Sequence, residues 1–128
     1  DRQHPTTGLE QRLYFRQWLA GRDFAQGDPI ATQMANYVYA IGDTATREVL
    51  LVDPCYRVGE LVDRCEQDGL RVVGALATHY HPDHVGGDMF GHSLQGVREL
   101  LTRCPCKVHV QRDEVPWVKR VTGCSDGD

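Results

Sequence analysis

The stretch Val72-Val73-Gly74-Ala75-Leu76-Ala77-Thr78-His79-Tyr80-His81-Pro82-Asp83-His84-Val85-Gly86-Gly87 changes character halfway along. Its first six residues belong to a nearly unbroken apolar run, Leu70 to Ala77, of the kind that forms a strand buried on both faces. Three of the six histidines in the molecule and one aspartate then fall within six positions. Imidazole and carboxylate are the ligand types of zinc and of borderline metals such as iron and manganese. A strand end followed by an irregular loop is where α/β proteins place their chemistry. The spacing suggests two metals, with His79 and His81 reaching one ion while Asp83 and His84 diverge towards a second. Pro82 stiffens the turn, and Gly86 and Gly87 permit close packing or a positive φ behind it.

Working upstream, Asp53-Pro54 closes the apolar segment Glu48 to Val52, which reads as a strand. Val58, Leu61, Val62 and Cys65 follow at helical spacing, and Gly69 is a natural C-terminal stop. Strand, helix and strand in that order imply a parallel crossover, hence an α/β fold with a mixed sheet. Met34 to Ile41 reads as an earlier strand, joined through the turn Gly42 to Thr46 in an antiparallel hairpin with Glu48 to Val52. From Leu9 to Leu19 the apolar positions fit a short amphipathic turn or helix, broken by Gly21 and by Gly27-Asp28-Pro29. Two roles are open for Asp53: a hydrogen bond that orients a metal ligand, or a carboxylate at the N-terminus of the helix near Val58.

Downstream, Ser93 to Thr102 reads as a helix, Lys107 to Gln111 as a short strand, and Asp113 as the cap of a final turn through Val115 to Val118. His92 falls in the loop after the histidine run and His109 in the short strand. Cys104 and Cys106 with His109 can be drawn as another metal site. A two-residue offset puts both thiols on one strand face with no fourth ligand, which favours a structural role.

A chain of 128 residues has room for one domain, here residues 1–128, with one modest core. A 41% hydrophobic and 25% charged composition is that of a globular rather than a disordered chain. The formal charge of −4 leaves no basic footprint for nucleic acid. No apolar run approaches the ~20 residues of a membrane span, so neither nucleic acid nor membrane is expected as a partner. Five cysteines, odd in number and irregularly spaced, make a poor disulfide framework and fit a reducing, cytoplasmic setting.

The run THYHPDHVGG resembles the His-x-His-x-Asp-His signature of the metallo-β-lactamase superfamily. NYVYAIGD, EVLLVDP and the helix and strand before THYHPDH extend that resemblance to the first half of glyoxalase II-like hydrolases, from about Tyr14 to Gly127. The resemblance implies one half of a four-layer αβ/βα sandwich. It assigns His79 and His81 to a first metal and Asp83 and His84 to a second, with two zinc ions in the complete enzyme and iron or manganese as other options. Asp83 would also orient the nucleophile or accept a proton from it, the attack on an ester, thioester or amide carbonyl being made by a metal-bound hydroxide. The histidine at the third position of the run, His81, argues against the flavodiiron branch.

Complete family members add a third histidine, a bridging aspartate and a last histidine from a second αβ half, and neither His92 nor His109 suits those places. The chain is therefore expected to be the first half of a longer hydrolase acting on a small thioester or ester such as an acyl-glutathione. Its own partner would be the missing C-terminal half or a second chain. The alternatives are a mononuclear iron enzyme oxidising persulfides, or a non-catalytic fragment that associates through an exposed sheet. A nuclease of the same superfamily is disfavoured by the acidic balance.

Overall fold

A computed structural model describes residues 12–78, 82–89, 92–104, 106–125 and 127–128. The hairpin and crossover read from the sequence are its centre. Strand β2, Tyr37–Asp43, runs antiparallel to β3, Glu48–Val52. Helix α2, Val58–Gln67, then carries the chain across to β4, Arg71–Ala77, which lies parallel to β3. Val58, Leu61, Val62 and Cys65 are the buried face of α2. Burial of an aliphatic side chain of this size contributes about 1.5–3 kcal/mol. Gly69, at φ 82°, ends the helical segment in the left-handed region, as its place after the periodic run predicts.

Residues Leu13–Leu19 form a strand, β1, paired antiparallel with β2, where the apolar spacing points to a turn or helix. Tyr14 and Trp18 are buried and lie four positions apart, an interval that suits one face of a helix or one face of a strand equally. The open edge of β2 decides between them. The Tyr14 hydroxyl donates to Asp68 Oδ2 at 2.6 Å, which ties β1 to the end of α2.

A short helix, α1, occupies Pro29–Met34, so the strand begins at Tyr37 rather than at Met34. Asp28 caps α1 by accepting from the amides of Ile30 and Ala31, with Pro29 in the first turn.

The histidine run leads into a four-residue helix, α3, Pro82–Val85, and a hairpin of β5, Gly87–Met89, with β6, His92–Leu94. The next helix, α4, is therefore confined to Val97–Arg103 rather than starting at Ser93, and His92 lies in a strand rather than a loop. Strand β7, Lys107–Val110, adds parallel to β4. A 3-10 turn at Arg112–Glu114 precedes α5, Val115–Thr122. Asp113 is not the cap of α5, whose N-cap position is Glu114; it lies inside the 3-10 turn, where the Gln111 side chain accepts from its amide at 2.7 Å. No helix among the described residues is long and apolar enough to cross a membrane.

The five-stranded sheet runs β1-β2-β3-β4-β7, antiparallel on one side and parallel on the other. One face, with Tyr14, Trp18, Val38, Ala40, Val49, Leu51, Val72 and Ala75, joins α2 and α4 in the core. Arg103 of α4 clamps the two helices by donating to Asp63, Glu66 and the Gly59 carbonyl. The other face is different. Leu13 and Phe15 of β1 and Tyr37 and Ile41 of β2 are 59%, 52%, 42% and 39% exposed, a contiguous apolar surface with the Phe15 and Tyr39 rings 5.8 Å apart.

Candidate metal centre

Strands β3 and β4 are parallel neighbours, so their C-terminal ends emerge side by side. Asp53 follows β3 directly, and its amide donates to the Leu76 carbonyl of β4 at 2.8 Å. Its φ of 52° is left-handed, a conformation that aspartate tolerates better than most residues. The bend turns its carboxylate onto the end of β4. The Thr78 amide donates to Oδ1 at 2.7 Å and the Thr78 hydroxyl to Oδ2 at 2.6 Å. Asp53 is only 6% exposed, so these bonds form away from bulk water.

Helix α3 brings His84 to the same carboxylate, with Nδ1 3.0 Å from Asp53 Oδ2. Of the two roles open to Asp53, its side chain therefore meets a histidine of the run rather than the start of α2. That helix start is served by Gln95, whose Oε1 accepts from the Val58 amide at 3.1 Å. The other ring nitrogen of His84, Nε2, is 2.9 Å from Asn36 Nδ2. The Tyr56 hydroxyl donates to Asn36 Oδ1 at 3.4 Å.

This arrangement fits a metal ligand. A carboxylate accepts hydrogen bonds, so Nδ1 carries the ring proton and Nε2 presents its lone pair. Neutral imidazole with one nitrogen held on a carboxylate is the form that binds zinc and similar ions. His79 and His81 lie outside the described residues. Of Asp83 only the backbone is described, within α3. His84 is thus the sequence-predicted ligand whose side-chain setting is visible. His109 is exposed on β7, while Cys104 is buried after α4 with its thiol pushed up chiefly by burial. Among the described residues no group of three His, Cys, Asp or Glu side chains is close enough to hold an ion.

Behind the run, the backbone packs without room for side chains. Gly86 and Gly87 have φ of 91° and 121°, and a Cβ on Gly86 would lie 2.7 Å from the Gly96 backbone. A Cβ on Gly96 would lie 2.0 Å from the Val85 carbonyl oxygen. Both uses foreseen for the Gly86-Gly87 pair, positive φ and close approach, are present. Asn36, Tyr56, Thr78 and Gln95 were not legible as site residues. Thr78 adjoins the histidine run, which is a weak signal; the other three become neighbours only through the fold.

Residues 31–117 match the family model described as the metallo-beta-lactamase superfamily. The chain is 38% identical over 91 residues to a hydroxyacylglutathione hydrolase of Bdellovibrio bacteriovorus, covering 66% of this chain and 32% of that one. It is 29% identical over 97 residues to the mitochondrial persulfide dioxygenase ETHE1 of Bos taurus, covering 66% of this chain and 38% of the relative. The solved structure of ETHE1 from Myxococcus xanthus aligns with a TM-score of 0.55 at 25% identity, over 74% of this chain and 34% of that chain. The chain thus spans well under half the length of the curated relatives it matches. With its mixed five-stranded sheet backed by helices, the chain belongs to the metallo-β-lactamase superfamily.

Proposed function

We propose that this chain is the first half of a metal-dependent hydrolase that cleaves a thioester or ester such as an acyl-glutathione. The observation that carries the reading is the His84 ring, delivered by the histidine run to the joint C-terminal edge of β3 and β4 and held through Nδ1 by a buried carboxylate. His79 and His81 would hold one zinc ion and Asp83 and His84 the other. A divalent ion in such a site supplies Lewis acidity, polarising the substrate carbonyl and making water nucleophilic near neutral pH. Asp53 keeps the ring proton of His84 on Nδ1, so that Nε2 is available as a ligand. The Asp83 carboxylate orients the attacking water and takes its proton.

The similarity to hydroxyacylglutathione hydrolases supports the thioester class. The exposed apolar face of β1 and β2 supports residues 1–128 being one incomplete domain, completed by a second αβ half that packs there and brings the remaining ligands. A second reading has its own support in the similarity to persulfide dioxygenases: a mononuclear iron site on the same scaffold.

The two are separated by joining this chain to a complementary αβ half, loading the product with zinc or with iron(II), and giving it S-lactoylglutathione or glutathione persulfide. Thioester hydrolysis without oxygen uptake is the expected result. Oxygen uptake with persulfide, dependent on iron and without thioester cleavage, would replace the hydrolase reading by the dioxygenase one.

A further inference from the structure

Both ring nitrogens of His84 have a described partner, and of Asp53 and Asn36 only Asp53 is compatible with a metal. Asp53 on Nδ1 leaves the Nε2 lone pair outward, as a ligand requires. Asn36 then puts an amide N–H on that same lone pair, at 2.9 Å. At the other end of the carboxamide, Oδ1 lies 3.4 Å from the Tyr56 hydroxyl, a long hydrogen bond that favours this orientation, and Tyr56 is itself 2% exposed in the core. The Asn36 backbone is anchored as well: its carbonyl accepts from the Ala20 amide at 2.8 Å, just after Ala35 bends through φ 54°.

An imine nitrogen has a single in-plane lone pair. It cannot accept an N–H and bind an ion at once. On the reading of His84 as a metal ligand, on which this inference rests, we propose that Asn36 competes with the ion: it occupies the Nε2 lone pair until an ion arrives and must turn away as the ion binds. Asp53 and Thr78 already fix the ring through Nδ1, so removing Asn36 removes a competitor rather than the ring's orientation. The competing hydrogen bond then lowers metal affinity at His84 by roughly 2- to 10-fold, the span of one net hydrogen bond.

The test is a zinc titration of the chain joined to a complementary αβ half, followed through the 15N resonances of the His84 ring and the side-chain NH2 of Asn36. It is run on the native chain, Asn36→Leu and Tyr56→Phe. In the metal-free native chain Nδ1 is expected to be protonated and Nε2 to carry the shift of a hydrogen-bonded lone pair, which Asn36→Leu moves to the free value. Zinc is expected to move Nε2 and the Asn36 NH2 together, and Asn36→Leu to bind it roughly 2- to 10-fold more tightly. Tyr56→Phe should move affinity the same way by less, which covers the case of an Asn36 variant that does not fold. Zinc that shifts Nε2 while the Asn36 NH2 stays put, or with unchanged affinity in both variants, overturns the role of Asn36 and leaves the metal reading standing. Zinc that leaves both ring nitrogens of His84 unmoved overturns the metal reading and this inference together.

Discussion

Asp53 Oδ2 lies 3.0 Å from His84 Nδ1, while the same carboxylate takes the amide and hydroxyl of Thr78. One side chain therefore sets the joint end of β3 and β4 and the direction of a histidine that arrives from the following helix. Replacing Asp53 by asparagine keeps its volume but weakens the acceptor for three donors and lets the ring proton redistribute. Zinc affinity at His84 is expected to fall by about 10- to 100-fold, the usual cost of losing a partner that orients a metal ligand. Chelator competition on Asp53→Asn beside the native chain measures it; equal affinities would mean that the bond is structural only.

The packing behind the histidine run offers a test on stability. A Cβ on Gly96 would clash with the carbonyl oxygen of Val85. Relieving that clash must push α3 off the start of α4. Gly96→Ala should destabilise the chain by about 1–3 kcal/mol or more. Gly127→Ala, with nothing within 4 Å, is the neutral control. Thermal unfolding of both variants decides it, and an unchanged midpoint for Gly96→Ala would contradict the described approach of the two segments.

Asp23 governs one part of the acid stability. The Arg22 guanidinium and the Leu19 amide hold its carboxyl at about 2, below its ordinary 3.8. A carboxyl depressed on folding stabilises the native state above its unfolded pKa and loses that contribution as pH falls through the folded one. Native-chain stability should decline between pH 3.8 and about 2, and Asp23→Asn should flatten that decline. Denaturant midpoints across this range provide the check, with identical slopes as the contrary outcome.

Cysteine reactivity should follow burial. The Cys65 thiol is pushed up to about 12, first by desolvation and then by Asp68, and its residue is fully buried. Cys124 is only half-buried. Iodoacetamide at about pH 8, where accessible thiolates react, should label Cys124 well before Cys65. Peptide mass spectrometry over time resolves the order, and simultaneous labelling would argue against the packing of α2 on the sheet.

How far the sequence discloses all this depends on the range of the interaction concerned. Strand β3, helix α2 and strand β4 are legible because their apolar period and Gly69 are local signals that the packed fold does not override. Strand β1 is not, since Tyr14 and Trp18 four apart satisfy both periods and only pairing with β2 chooses. Helix α1 rests on a cap and a proline over six residues, too short for a period to show. The histidine run announces ligand chemistry through residue type and spacing alone. Asn36 and Tyr56 do not, because they lie 48 and 20 positions from their hydrogen-bond partners, His84 and Asn36, and become site residues only through the fold.

The most direct test of the central claim is zinc content by elemental analysis in the chain joined to a complementary αβ half, with the native run and with His79, His81, Asp83 and His84 all replaced by alanine. The native run is expected to hold about two ions per chain, as a two-metal site requires, and the replaced run to lose them. Equal zinc in both would contradict it, and the ligands would have to be sought elsewhere in the molecule.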